Sequence, residues 1–189
     1  AVGEISLPSQ VKVDDKFYNI STIDDSAFEN CSFITKVNLP STIKTIGGYA
    51  FKDCISLKEI NLENVESFGV FAFENCISLI KANLNATQTV SSHLFNNCTS
   101  LTTVNIPIVN AIGTSAFEDC YNLQTINFTP QHLHTIHSRA FYNNYKLYND
   151  YYQISFLNRR CSCNHAHNCG AVPQIYECQC QRKNEQQPS

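Results

Sequence analysis

Apolar and polar positions along the chain repeat with a long period. Phenylalanine stands at 28, 51, 73, 95, 117 and 141, so successive intervals run from 22 to 24 residues. Three residues after each of the first five comes Cys31, Cys54, Cys76, Cys98 or Cys120, and the sixth copy carries Asn144 at that place. Six residues after each Phe comes Ile34, Leu57, Leu79, Leu101, Leu123 or Leu147. Immediately before it lies Ala27, Ala50, Ala72, Leu94, Ala116 or Ala140. Four before it lies Asp24, Gly47, Gly69, Ser91, Gly113 or His137, mostly turn or cap types. Each unit then runs into a short alternating stretch: Val37-Asn38-Leu39, Ile60-Asn61-Leu62, Ala82-Asn83-Leu84, Val104-Asn105-Ile106 and Ile126-Asn127-Phe128. Alternation of this kind predicts a strand. A strand, a turn and an Ala-Phe-x-x-Cys segment, whose Ala, Phe and Cys fall on one side of a helical turn, make one coil of about 22 residues. A single coil cannot bury its own apolar face. Stacked coils join their strands into a parallel sheet and line up Phe, Cys and Leu as internal ladders, which takes three copies or more.

The run Ile46-Gly47-Gly48-Tyr49-Ala50-Phe51-Lys52-Asp53-Cys54-Ile55-Ser56-Leu57 resembles the pattern I-G-x-x-A-F-x-x-C-x-x-L of the BspA-like leucine-rich repeats, and the likeness extends over residues 18–147. The resemblance implies proteins displayed on, or shed from, cell surfaces as adhesins and binders. The fold expected is an α/β repeat solenoid: a right-handed leucine-rich-repeat coil with a parallel β-sheet on its concave face, short helical turns on its convex face and a small Cys-rich C-terminal cap. Residues 1–17 contain Ile5-Ser6-Leu7-Pro8, read as the strand of a partial first coil that closes the N-terminal end. Residues 18–157 form the solenoid of about six repeats, with Ile154, Ser155 and Phe156 offering a last strand after a Tyr-rich insertion. Residues 158–189 make a Cys/His-rich cap or tail.

In each strand the residue between two buried aliphatics points outward, because successive side chains alternate. That residue is asparagine five times: Asn38, Asn61, Asn83, Asn105 and Asn127 form a row with neighbours about 4.8 Å apart. Two readings of the row are open. The amides bond to one another and stiffen the sheet, or they offer donors and acceptors to a carbohydrate or peptide. A second outward column, Lys36, Glu59, Lys81, Thr103 and Thr125, begins with alternating charge, which supports the strand register by a few tenths of a kcal/mol to about 1 kcal/mol per pair. Lys36, Glu59 and Lys81 also join the Asn row as candidate ligand contacts.

The ten cysteines divide evenly. Those in the repeats occupy an interior ladder, where a thiol behaves as a small hydrophobe and parallel side-chain vectors disfavour disulfides. The tail carries Cys161, Cys163, Cys169, Cys178 and Cys180, with His165 and His167 between them. In a secreted chain such a cluster reads as a disulfide-stapled cap. A zinc site is the alternative, although structural zinc ligands are usually paired as C-x2-C and the pairs here are C-x-C.

Composition narrows the class. The chain has 189 residues, 43% of them hydrophobic, enough for a sizeable core. Thirteen basic residues against sixteen acidic ones, a net charge of -3 with no basic block, exclude a phosphate-tracking nucleic-acid binder. No apolar run reaches the roughly 18 to 20 residues of a membrane helix. Methionine is absent, so Ala1 is read as following a removed signal peptide. Sequons at Asn19, Asn30, Asn85, Asn97 and Asn127 agree with an extracellular or cell-surface location. Gly47-Gly48 lacks the Lys of a phosphate-binding loop, and His132, His134 and His137 lack H-E-x-x-H spacing. Asp24 and Asp25 read as helix-start caps. The expectation is a non-catalytic protein without a cofactor that recognises a protein or carbohydrate through its Asn-rich face. The alternative is a structural subunit that self-associates, through the solenoid ends and the tail, into an extracellular fibre or coat.

Overall fold

The computed structural model of the chain describes residues 3–147. The tail with Cys161, Cys163, Cys169, Cys178, Cys180, His165 and His167, and the expected last strand at 154–156, lie outside the described residues. In chain order the strands are β1 (Glu4–Ser6), β2 (Gln10–Val13), β3 (Lys16–Asn19), β4 (Thr22–Ile23), β5 (Lys36–Asn38), β6 (Thr45–Ile46), β7 (Glu59–Ile60), β8 (Ser67–Phe68), β9 (Lys81–Asn83), β10 (Thr89–Val90), β11 (Thr103–Ile106), β12 (Ala111–Ile112), β13 (Thr125–Phe128) and β14 (Thr135–Ile136). Apart from β2 and β3, they form two parallel columns. The first holds β1-β5-β7 and β9-β11-β13, and the second holds β4-β6-β8 and β10-β12-β14. Each residue is paired with its equivalent one coil later, as in Ile5 with Val37 and Val104 with Ile126. We number the coils 1 to 6 by their phenylalanines, Phe28 to Phe141.

The Ala-Phe-x-x-Cys segments form a third column of a different kind. The expected helical turns are not there, and the hydrogen bonds show why. The amide N–H groups of Phe28, Phe51, Phe73, Phe95 and Phe117 donate to Ala50, Ala72, Leu94, Ala116 and Ala140 of the next coil at 2.7 to 2.9 Å. Between these, short local bonds such as Cys54 N–H to Phe51 O at 3.2 Å close single turns. Every segment also has two left-handed residues. One lies two before the Phe (Ser26, Tyr49, Phe71, His93, Ser115, Arg139) and one two after it (Asn30, Asp53, Asn75, Asn97, Asp119, Asn143), all with φ between 52° and 62°. A helix needs consecutive right-handed residues and bonds within itself. Here the backbone changes hand twice per segment and alternate N–H groups go to the neighbouring coil. Asp25 accordingly caps no helix; its carboxylate accepts the N–H of Gly48 in the next coil at 2.6 Å.

Inside, the six phenylalanines stack nearly parallel, with ring centroids 5.0 to 5.6 Å apart. Phe51, Phe73, Phe95 and Phe117 are fully buried, as are Cys54, Cys76, Cys98 and Cys120. Burial is less complete at the N-terminal end, where Ile5, Leu7, Ile20, Phe28, Cys31 and Ile34 are only partly covered. The hairpin β2-β3 is inserted in the first coil. Asp14 and Asp15 make its two-residue turn at φ 47° and 63°, and Ile20 N–H to Ser9 O at 2.9 Å closes its base.

Both strand columns are interrupted at the same level. Among the described residues β7 does not pair with β9, nor β8 with β10. Coils 3 and 4 remain joined by the phenylalanine column, with Phe73 N–H to Leu94 O at 2.9 Å, by one long backbone bond of the first column, Ile80 N–H to Lys58 O at 3.4 Å, and by the hydroxyls of Thr87, to Val65 O at 2.9 Å, and Ser91, to Phe68 O at 2.6 Å. A side chain at Gly69 would run into the backbone of Gly47 and Gly48, and one at Gly113 into Ser91 and Ser92, so at these two coils the close approach leaves no room for a Cβ. At coil 4 the place is held by Ser91, whose hydroxyl, not a glycine N–H, bonds to the preceding coil. His137 also has a Cβ, but it closes the longest interval, 24 residues, and keeps its N–H bond to Ile112 O at 2.9 Å.

Two substitutions test this packing by urea denaturation. Phe73→Ala removes the centre of the ring stack and is expected to cost about 3–5 kcal/mol. Gly69→Ala forces coils 2 and 3 apart and is expected to cost about 1–3 kcal/mol; an unchanged midpoint for Gly69→Ala would refute the close-approach account.

Candidate functional site

The first strand column brings the predicted site residues to one face. Its outward amides do not behave alike. Asn127 donates to Asn105 at 2.6 Å and Asn105 to Asn83 at 2.5 Å, a three-membered amide ladder along β9-β11-β13. Asn83 then donates across the interruption to the Glu63 carboxylate at 3.2 Å. Asn61 turns away from the row; its amide accepts from Leu39 N–H at 2.7 Å and donates to Leu39 O at 2.9 Å, so it acts as one more peptide unit of the ladder. Asn38 donates to Glu4 at 3.0 Å and to Ser6 at 3.1 Å.

The charged column is also divided. The Lys36 ammonium sits between Glu4 at 3.6 Å and Glu59 at 3.7 Å, the paired register neighbours on β1 and β7. Lys81, on the far side of the interruption, has no ion pair among the described residues, and neither has Lys58. Ile60 is half-buried where Val37 and Ala82 are buried, so the end of β7 lifts from the core. The result is a groove of about 400 Å³ across coils 2 to 4. Lys36, Asn38, Glu59, Asn61, Lys81 and Asn83 line it together with Lys58, Glu63 and the apolar Val37, Ile60 and Ile80. Of the predicted row, Asn105 and Asn127 lie outside the groove.

Sequence reasoning missed an ordered outer surface on the phenylalanine column. Asn75 donates to Asp53 at 2.6 Å, Asn97 to Asn75 at 2.9 Å and Asn143 to Asp119 at 2.6 Å. The signal was present, since the second residue after every Phe is Asn or Asp, the types that best tolerate a left-handed backbone. Beside it Tyr49, Phe71 and His93 stack at 5.1 and 4.4 Å, flanked by the Lys52–Glu74 pair at 2.8 Å and the Arg139–Glu118 pair. Among the sequons, Asn19, Asn30 and Asn85 are exposed, whereas the side-chain amides of Asn97 and Asn127 are already donating. His132, His134 and His137 are exposed at the start of coil 6. Among the described residues no three His, Cys, Asp or Glu come together as a metal site, and no helix is long and apolar enough to cross a membrane.

The profile described as BspA type Leucine rich repeat region matches residues 18–149 in six copies. The chain belongs to the BspA-type leucine-rich-repeat family. Among solved structures it is similar to a leucine rich cell surface protein from Faecalibacterium prausnitzii A2-165, at 31% identity and a TM-score of 0.65, over 73% of this chain and 38% of that one. A leucine-rich repeat protein from Eubacterium ventriosum ATCC 27560 matches at 25% identity and 0.62, over 76% and 37%. The T. pallidum leucine rich repeat protein, at 23% identity and 0.56 over 76% and 77%, shares the fold. The chain therefore spans well under half the length of the first two. No curated protein sequence matches it.

Within this BspA-type solenoid the repeat cysteines are free thiols with a bonding role. The sulfurs of Cys54, Cys76, Cys98 and Cys120 donate to the carbonyls of Phe28, Phe51, Phe73 and Phe95 in the preceding coil at 3.1 to 3.2 Å. Burial pushes the Cys54 thiol up to about 12 and raises those of Cys76, Cys98 and Cys120 as well, so at neutral pH they hold the proton that the bond needs. Cys31, at the N-terminal end, is half-buried. Iodoacetamide footprinting of the native chain, read peptide by peptide, is expected to label Cys31 while Cys76 and Cys98 stay protected until the chain unfolds; labelling of Cys76 at the rate of Cys31 contradicts the buried ladder.

Proposed function

We propose that the protein is a non-catalytic, extracellular recognition module that contacts a protein or carbohydrate through the face of its first strand column. The carrying observation is the groove across coils 2 to 4, into which six of the predicted contact residues converge on a rigid stack. A concave site with apolar walls and a few placed polar groups is the ordinary form of a binding site, and about 300–1,000 Å³ its ordinary size. Support for a surface location comes from the similar F. prausnitzii protein, described as a cell surface protein, and from the exposed sequons Asn19, Asn30 and Asn85. Disulfide pairing of the tail cysteines belongs to the same extracellular reading. The test is solid-phase binding to immobilised mucin, hyaluronan and collagen, comparing the native chain with Thr103→Trp/Thr125→Trp, which crowds the face beside Lys81. Binding to at least one surface is expected, with loss in the crowded variant at unchanged Tm. Equal binding by both chains, or binding to none, overturns the reading.

The partly covered N-terminal end favours a second reading, self-assembly into a fibre or coat. Ile5, Leu7, Ile20, Phe28 and Ile34 offer a further coil an apolar surface to stack on. Negative-stain microscopy across a concentration series distinguishes it: filaments that Phe28→Asp abolishes support assembly, and uniform single particles at every concentration exclude it.

A further inference from the structure

Resting on the recognition reading, we infer that the groove between coils 3 and 4 takes an acidic saccharide, a sugar chain whose carboxylate or sulfate lies between the ammonium groups of Lys58 and Lys81. Charge decides the class of ligand. Of the cations lining the groove, Lys36 is held by Glu4 and Glu59, whereas Lys58 and Lys81 have no carboxylate partner among the described residues and stand on either side of the interrupted ladder. Of the acidic groups at the site, Glu59 is paired with Lys36, and Glu63 accepts from the neutral Asn83 amide and keeps its charge. Three lysines against two glutamates line the groove, so an anion meets a net positive charge carried by Lys58 and Lys81, with Glu63 opposing it from beside Asn83.

The amides and the walls argue for a sugar. Asn38, Asn61 and Asn83 have their hydrogens or oxygens fixed by protein partners, so their remaining lone pairs and protons point in set directions, which suits hydroxyl groups that both donate and accept. Ile80, exposed, and the half-buried Ile60 supply an apolar patch of the kind that the C–H face of a pyranose covers. The about 400 Å³ of the groove suits a short length of such a chain. An acidic peptide needs donors and acceptors in a strand-like row. Between β7 and β9 the gap is already bridged at its start by Ile80 N–H donating to Lys58 O at 3.4 Å, which leaves a peptide strand too short a row to pair with.

The experiment is calorimetric titration of the full chain with four probes: a hyaluronan octasaccharide (carboxylate only), a heparin octasaccharide (sulfate and carboxylate), a neutral chitin oligosaccharide and poly-glutamate. Binding to hyaluronan or heparin is expected, weakening with added salt, and binding to heparin alone identifies sulfate as the group held. Lys58→Ala/Lys81→Ala should weaken it by about tenfold, the scale of two exposed charge contacts. Lys44→Ala, a lysine of the second column paired with Glu66, should leave it unchanged. Tighter binding of the neutral sugar or of poly-glutamate, or full affinity in the double variant, overturns the acidic-saccharide assignment. If the double variant binds normally but Thr103→Trp/Thr125→Trp does not, recognition by this face survives and only the ligand class falls. If no probe binds and the crowded variant matches the native chain on every immobilised surface, both fall together.

Discussion

A coil of 22 residues has too little interior to bury itself, so every part of this molecule depends on the contact between one coil and the next. That contact is made three ways at once. The strand columns exchange backbone bonds in parallel register, the phenylalanine column sends alternate N–H groups forward, and the rings stack at 5.0 to 5.6 Å beneath them. The ring spacing is close to the strand spacing of about 4.8 Å, so aromatic packing and sheet pairing ask for nearly the same rise. Because the contact is nearest-neighbour, a change in one coil is felt by the two beside it and propagates only as far as the stack stays cooperative.

The same dependence explains how a uniform repeat acquires one distinct place. Gly69 and Gly113, four before their Phe, let backbones approach closely where the columns pair, and the columns also pair at His137. At coil 4 that position is Ser91, and the backbone ladder gives way to the hydroxyls of Ser91 and Thr87. On the first column β7 and β9 do not pair, the amide row breaks between Asn61 and Asn83, and Lys81 lacks the ion pairs that register gives Lys36. The groove is thus a local departure from the repeat, and the continuous phenylalanine column holds its two walls in position.

The period, the stacked interior and the outward amides were legible because they follow from residue spacing alone. Phe73 is buried for the reason its place in the series suggests. The helical turn was not legible in the same way. Ala, Phe and Cys three and four apart satisfy a helix wheel, but the same residues also face inward when the backbone reverses hand at Asp53 or Asn75 and bonds to the next coil. Only the unvarying Asn or Asp two places after Phe separates the two conformations, through the backbone it tolerates. The groove was less legible still. Lys36, Glu59 and Lys81 stand in one column in the sequence, but whether adjacent members pair depends on how closely two coils approach, which the spacing of these residues does not encode.

The cysteine column shows why a repeat of this kind keeps a thiol inside. The position must be small enough to sit under stacked rings, apolar enough to be buried, and able to donate one weak bond to a phenylalanine carbonyl already accepting from the local turn. Alanine lacks the donor, and serine would bring a hydroxyl with two more lone pairs to satisfy in a dry interior. In coil 6 the place is taken by Asn144, buried, whose carbonyl oxygen accepts the N–H of Cys120 at 3.1 Å. An amide there bonds backward to the main chain of the previous coil instead of to its phenylalanine carbonyl. The ladder of thiols thus ends at Cys120 by a change of chemistry, while the phenylalanine stack and the strand columns continue for one coil more.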